Sequence, residues 1–192
     1  MLRRLYDWTL SLAVTPYALW ALVVISFAES SFFPIPPDVL LIPLILAAPQ
    51  RAFVIAGVCT VASVAGGAFG YLIGSQLFDA IGQPVLEFYG KMTEFESFKE
   101  RFSEYGHWVV LTAGVTPFPY KVITITSGAA ELPFGTFMLW STIARGLRFF
   151  VVAALLWKFG APIRAFIEQR LGILFTIFIV LLIGTFWLVR FL

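Results

Sequence analysis

The chain has 192 residues, 60% of them hydrophobic and only 12% charged, with a net charge of +2 and a mean hydropathy of +0.92. Soluble domains are about 45–50% apolar and about 25% charged, so this chain cannot cover itself with polar surface and reads as one integral membrane domain, residues 1–192. That excludes a soluble enzyme, a nucleic-acid-binding module and a disordered scaffold; the charge is too small for a polyanion partner, and Cys59 alone cannot close an internal disulfide.

In chain order, Met1-Leu2-Arg3-Arg4 precedes an apolar stretch as in a signal peptide. No small-residue cleavage site follows, so the segment is expected to be retained. Residues 8–28 carry no charge. Next comes Glu29-Ser-Ser-Phe-Phe-Pro34-Ile-Pro36-Pro37-Asp38, in which three prolines fall within four positions. Proline removes a donor and clashes with the preceding turn, and it pushes the residue before it towards extended backbone. A helix–break–helix hairpin of two half-length arms, 17–28 and 39–48, fits better than a simple span. About 20 residues cross a hydrocarbon core of roughly 30 Å, and the charge-free run 52–78 is long enough to do so.

Residues 76–106 change character. Charges are interleaved with aromatics, and Phe95, Phe98 and Phe102 follow helical spacing, which predicts an amphipathic helix lying at the interface. A second break, Thr116-Pro117-Phe-Pro119-Tyr-Lys121, sits between half-length apolar arms at 107–115 and 122–130. Irregular backbone at membrane depth is tolerated only where it is buried in protein or lines a wet cavity. A long apolar stretch, 132–157, follows, and the uncharged run 171–189 marks a C-terminal transmembrane helix over about 171–191.

The two breaks superimpose at one constant offset: Pro34 on Pro117, Pro36 on Pro119, Val39 on Val122, and Asp38 on Lys121 with the charge reversed. The expected fold is therefore all-α: an inverted-topology repeat with two re-entrant helical hairpins, about three full transmembrane helices and amphipathic interfacial helices. Repeat 1 covers about 1–75, the interfacial segment 76–106 and repeat 2 about 107–160. Secondary transporters are built this way, with the site at the midplane between broken helices. Arg3, Arg4, Arg51, Lys158, Arg164 and Arg170 on one side outnumber Lys91, Lys99, Arg101 and Arg190 on the other, which favours a cytoplasmic N-terminus.

Glu29, Asp38, Lys121, Arg145 and Arg148 lie in or beside apolar segments. Each charge at a bilayer centre costs about 2.5–3.5 kcal/mol, so five left unpaired would cost roughly 12–18 kcal/mol. They must face protein or water and largely neutralise one another. Arg145 and Arg148, three apart, share a helix face, and with Lys121 they exceed the two carboxylates by one positive charge. That surplus suits an anion, and an arginine fork suits phosphate oxygens. Desolvation favours the protonated form of a carboxyl group, which makes Glu29 and Asp38 the candidates for proton exchange.

Ala62, Gly66, Gly70 and Gly74 form a small-residue stripe on one helix face, suited to close packing within the chain or in a homodimer. Gly66-Gly67-Ala-Phe-Gly70 lacks the Lys-Ser/Thr of a phosphate loop. No metal-ligand spacing and no nucleophile–base set stands out, so neither a metal, a cofactor nor enzymatic catalysis is expected.

The Glu29–Asp38 segment, the Gly66-Gly67-Ala-Phe-Gly70-Tyr71 helix and the second proline break together resemble the DedA family, whose members share the VTT or SNARE-associated domain. The likeness runs from about Glu29 to Gly160. It implies a multi-pass protein of the bacterial inner membrane that moves undecaprenyl phosphate or a phospholipid such as phosphatidylethanolamine between leaflets, in several members coupled to protons. Glu29 and Asp38 match the family's acidic residues around the first break, and Gly70 and Tyr71 match its glycine–tyrosine helix signature. The second break departs. Where the family usually has an arginine, an aromatic, proline-glycine and another arginine, only Lys121 can take the basic role, as in a divergent branch.

The expected function is thus a proton-coupled lipid flippase with a membrane lipid and protons as partners. Lys121, Arg145 and Arg148 would hold the phosphate; Glu29 and Asp38 would exchange protons. An ion-coupled transporter of a small soluble solute and a non-transport assembly factor are the rival readings.

Overall fold

The computed structural model describes residues 17–189, apart from Pro34 and Pro117 and the side chains of Glu94, Ala161 and residues 163–189. Among the described residues every regular element is helical. They are α1 (Ala18–Ser31), α2 (Asp38–Ala47), α3 (Ala52–Leu77) after a short turn at Pro49–Arg51, a π-helical turn (Phe78–Gly82), α4 (Gln83–Phe88), α5 (Met92–Val115), α6 (Tyr120–Ala129) and α7 (Phe134–Val189). The readings placed on Arg3, Arg4, Trp8, Pro34, Pro117 and Arg190 fall outside the described residues.

The proline chemistry sets the breaks. Phe32 and Phe33 N–H both donate to the Ala28 carbonyl and close α1. Pro36 and Pro37 then precede α2, where a missing N–H costs nothing because the first turn has no acceptor for it. In the second break Thr116, held before Pro117, is extended (ψ 167°). Pro119, also extended, leads into α6.

Two boundaries differ from expectation. α5 runs unbroken through residue 106, because no proline between Met92 and Val115 removes a backbone donor, and Gly106 is packed inside the helix against Phe102 and Leu132 rather than ending it. From Met92 on, the interfacial segment and the first arm of the second break are therefore one helix. Its Phe95–Phe98–Phe102 stripe forms a ladder of rings that begins on Phe78 (4.6 Å between centroids) and ends in a buried Phe102. Likewise, the apolar stretches before and after residues 160–170 share α7, with Pro162 inside the helix rather than ending it. Two helical stretches, Pro49–Phe88 and Phe134–Gly160, are long and apolar enough to cross a membrane. α1 and α2 are too short to do so alone.

Contacts along α3 order the rest. Ser26 meets Cys59 and Ser30 meets Ser63, so α1 runs parallel to the first part of α3. Tyr120 and Thr124 then lie at Gly67, Thr124 at Gly70, and Ile125 and Ala129 at Gly74, so α6 runs parallel to the remainder. α7 runs the other way, from Phe137 at Gly67 through Arg145 at Ser63 to Phe150 and Trp157 at Phe53. The end of α1 and the start of α6 meet on α3 between Gly66 and Gly70. The glycine stripe is what admits them: a Cβ at Gly66 would overlap the Phe27 carbonyl, one at Gly74 the Ile125 carbonyl, and one at Gly70 the Thr124 hydroxyl. The stripe is thus filled by this chain's own helices. Tyr71 Oη crosses to donate to the Leu132 carbonyl at 2.6 Å.

Two apolar cores result. One joins α1, α2, α3 and α7 around Leu22, Leu41, Ile45, Cys59 and Phe149; the other joins α5, α6 and α7 around Val110, Tyr120, Leu132 and Phe137.

Candidate functional site: two ion pairs between the cores

Between the cores lies a polar seam. Arg145, in the middle of α7, is 2% exposed. Its Nη2 donates to Glu29 Oε2 at 3.0 Å and its Nε to Ser63 Oγ at 2.6 Å. The guanidinium lies between the rings of Tyr120 and Phe149, 4.7 and 4.6 Å from their centroids. Cation–π attraction and the planar fork make arginine the residue that can be buried this way. Ser30 Oγ contacts both Glu29 Oε2 (3.2 Å) and Ser63 Oγ (2.7 Å), and Tyr120 Oη donates to Ser141 Oγ, so the surrounding hydroxyls are partnered.

One turn further along α7, Arg148 Nη2 donates to Asp38 Oδ2 at 2.7 Å, and its Nη1 donates to the Thr116 carbonyl at 2.5 Å. That carbonyl is free because the pre-proline backbone turns it out of α5. This pair is more open, with side chains 18% and 21% exposed. Asp38 sits in the first turn of α2, where the helix dipole favours a carboxylate.

Lys121, the fifth charge, is half-buried in the first turn of α6 beside Tyr120. Among the described residues no carboxylate pairs with its ammonium. Around the breaks the surface is apolar, with Phe32, Phe33, Ile35, Val39, Val115 and Val122 exposed.

The model of the VTT domain matches residues 35–158. The chain belongs to the DedA family. It is 36% identical over 168 residues to a protein from Haemophilus influenzae, an alignment covering 85% of this chain and 87% of the relative. With a homologue from Histophilus somni it is 41% identical over 168 residues, with the same coverage. Both relatives are described only as uncharacterized proteins. No solved structure matches the chain. The protein is a helical membrane protein of the DedA family, and the matched span takes in Asp38, Lys121, Arg145 and Arg148 while Glu29 lies just before it.

The charges single out which residues meet, but several partners in this DedA chain carry no charge and escape a reading of the sequence. Ser63, Tyr120, Phe149 and the Thr116 carbonyl all contact the arginines. A signal existed for some of them. Ser26 and Ser30 are four apart on α1, as are Cys59 and Ser63 on α3, and each couple is a small polar pair at helical spacing in an apolar helix. Among the described residues no group of three His, Cys, Asp or Glu side chains is placed to hold a metal ion.

Proposed function

We propose that this protein moves a phosphate-headed lipid between the leaflets of the bacterial inner membrane, with protons as the coupling ion and its N-terminus in the cytoplasm. The observation that carries the reading is the seam itself: two carboxylate–guanidinium pairs in an apolar protein, with Lys121, unpaired among the described residues, following Tyr120 in the first turn of α6. A phosphate would complete the charge balance, held by Lys121 and Arg148, with Arg145 behind them. The reversal of the chain at each break, on opposite stretches of α3, supports an inverted repeat of two re-entrant hairpins. In this reading α1–α2 and α5–α6 enter from opposite faces and meet at the midplane, where a transporter's site belongs.

The mechanism follows from charge pairing. The headgroup phosphate is the main barrier to crossing the hydrocarbon, and a cation inside the protein replaces its lost hydration. Protonation of Asp38 or Glu29 would free the matching arginine for phosphate; deprotonation would return the arginine to its carboxylate and expel the headgroup. Exposed apolar side chains around the breaks leave the lipid tails in the surrounding bilayer while the headgroup passes along the seam. The relatives carry no description that adds to this.

The decisive experiment is leaflet exchange by purified protein in sealed liposomes, using fluorescent phosphatidylethanolamine and a polyprenyl phosphate, with and without a pH gradient. Protein-dependent exchange that responds to the gradient and is lost in Glu29→Gln is the expected result. Exchange blind to both would make the protein a passive scramblase. Exchange of neither lipid, with uptake of a soluble anion, would move the reading to a solute transporter.

A further inference from the structure

Arg145 and Arg148, both on α7, each touch both broken helix pairs, α1–α2 and α5–α6. Arg145 binds Glu29 of the first pair and lies on the Tyr120 ring of the second. Arg148 binds Asp38 of the first and the Thr116 carbonyl of the second. Thr124 Oγ1 of the second pair adds a direct link, donating to the Ser30 carbonyl of the first at 3.0 Å, a carbonyl in the last turn of α1 without an intrahelical partner. The breaks are therefore held together on the α3 side by Thr124 and on the α7 side by the arginines.

These ties are unequal. Arg145 is 2% exposed and is engaged by a carboxylate, a hydroxyl and two rings, so a ligand reaching it would have to dismantle a core. Arg148 is 18% exposed, and both of its bonds go to acceptors that a phosphate oxygen can replace directly. An arginine fork binds phosphate in two parallel bonds, the same number it makes here.

We infer that Arg148 is a latch opened by the ligand itself: a phosphate headgroup that takes both of its donors must release Asp38 and the Thr116 carbonyl, and so unfastens the two breaks from each other. Arg145, lying against the Tyr120 and Phe149 rings, is the pivot that stays closed at this step. Binding of the headgroup and separation of the breaks are then one event, and protonation of Asp38 lowers what the headgroup must displace. The ammonium of Lys121, unpaired among the described residues and five residues after Thr116, supplies the charge that draws the anion towards the latch. This inference rests on the phosphate-headed substrate proposed above.

The test is a spin-label distance measurement between the breaks. Phe33 and Val122, both exposed and outside the ion pairs, are replaced by labelled cysteines in a Cys59→Ser background. The full chain is placed in phosphate-free galactolipid vesicles, with or without added phosphatidic acid, and lipid exchange is followed on matched samples. Phosphatidic acid should shift the population to a distance longer by several ångströms, and diacylglycerol, which lacks the phosphate, should not. Arg148→Gln should show the long distance without any ligand and no longer respond. Because that variant can fail to fold, Asp38→Asn serves beside it: it keeps the side-chain volume, removes the latch's charge pair and should reach the long distance at lower phosphatidic acid. A distance indifferent to phosphatidic acid and to both substitutions, in protein that still exchanges lipid, overturns the latch and leaves the transport reading standing. Breaks that separate on phosphatidic acid in protein that exchanges no lipid keep the latch and remove the transport reading.

Discussion

Glu29–Arg145 and Asp38–Arg148 are both carboxylate–guanidinium pairs joining the first broken pair to α7, three residues apart along that helix, yet their surroundings differ at every level. Arg145 is enclosed, sandwiched by rings and bonded to a buried serine. Arg148 is partly open and leans on a backbone carbonyl that exists as an acceptor only because a proline follows it. Identical chemistry placed at two depths divides the work. The enclosed pair can hold the helices in register, and the open one can exchange partners. Buried pairs contribute little net stability when intact and cost much when broken, which is the behaviour of a fixed element. A partly solvated pair is held by less.

The comparison breaks most visibly at Arg145. Arg145→Ala leaves the largely buried Glu29 without its counterion and empties the space beside two rings, so a loss of about 3–5 kcal/mol is expected, read as thermal unfolding in detergent micelles. The double variant Glu29→Gln, Arg145→Met should recover most of that loss; no recovery would mean that the rings rather than the charge set the cost. Next comes the support beneath the pair. Gly66→Ala drives a methyl group into the Phe27 carbonyl and must displace the helix that carries Glu29, at an expected cost of about 1–3 kcal/mol. The same substitution at Gly135, where nothing lies near, is the control and should be close to neutral.

Asp38→Asn sharpens the contrast from the other side. The amide oxygen can still accept from Arg148, so stability should fall by no more than about 1 kcal/mol, while lipid exchange falls by at least an order of magnitude. Equal losses of stability in Asp38→Asn and Glu29→Gln would erase the distinction between the pairs. The smallest structural effect belongs to Lys121→Met, which breaks no bond among the described residues and should change stability by less than about 0.5 kcal/mol. Its exchange rate should drop severalfold, and an unchanged rate would remove Lys121 from the headgroup contacts.

What a reader of the sequence can see here is set by how local each signal is. Proline acts on its neighbours, so the breaks before α2 and α6 are legible, as are the apolar lengths of α3 and of the first part of α7. Charge in an apolar chain is equally conspicuous, and four of the five charged residues it marks, Glu29, Asp38, Arg145 and Arg148, meet in pairs. The pairing is not legible: nothing local says that Glu29 takes Arg145 and Asp38 takes Arg148, since each couple is separated by more than a hundred residues. The allegiance of the Gly66–Gly70–Gly74 stripe is hidden for the same reason, because a small-residue face fits any close backbone, and only the approach of Phe27, Thr124 and Ile125 identifies which. The continuity of α5 through residue 106 went unseen because a change from charged to apolar composition alters what a helix faces without ending it.

The carboxylates of the seam both lie within the first broken pair, and its cations all lie after residue 120. A ribosome therefore makes every acid of the site before it makes any base. Until α7 emerges, Glu29 and Asp38 have no counterion, and each would cost about 2.5–3.5 kcal/mol as an anion at the bilayer centre. On the proposed topology, the nascent first pair would wait at the membrane surface or insert with its acids protonated until α7 supplied both guanidinium groups at once. A chain interrupted before Arg145 would keep both acids without the guanidinium groups they pair with.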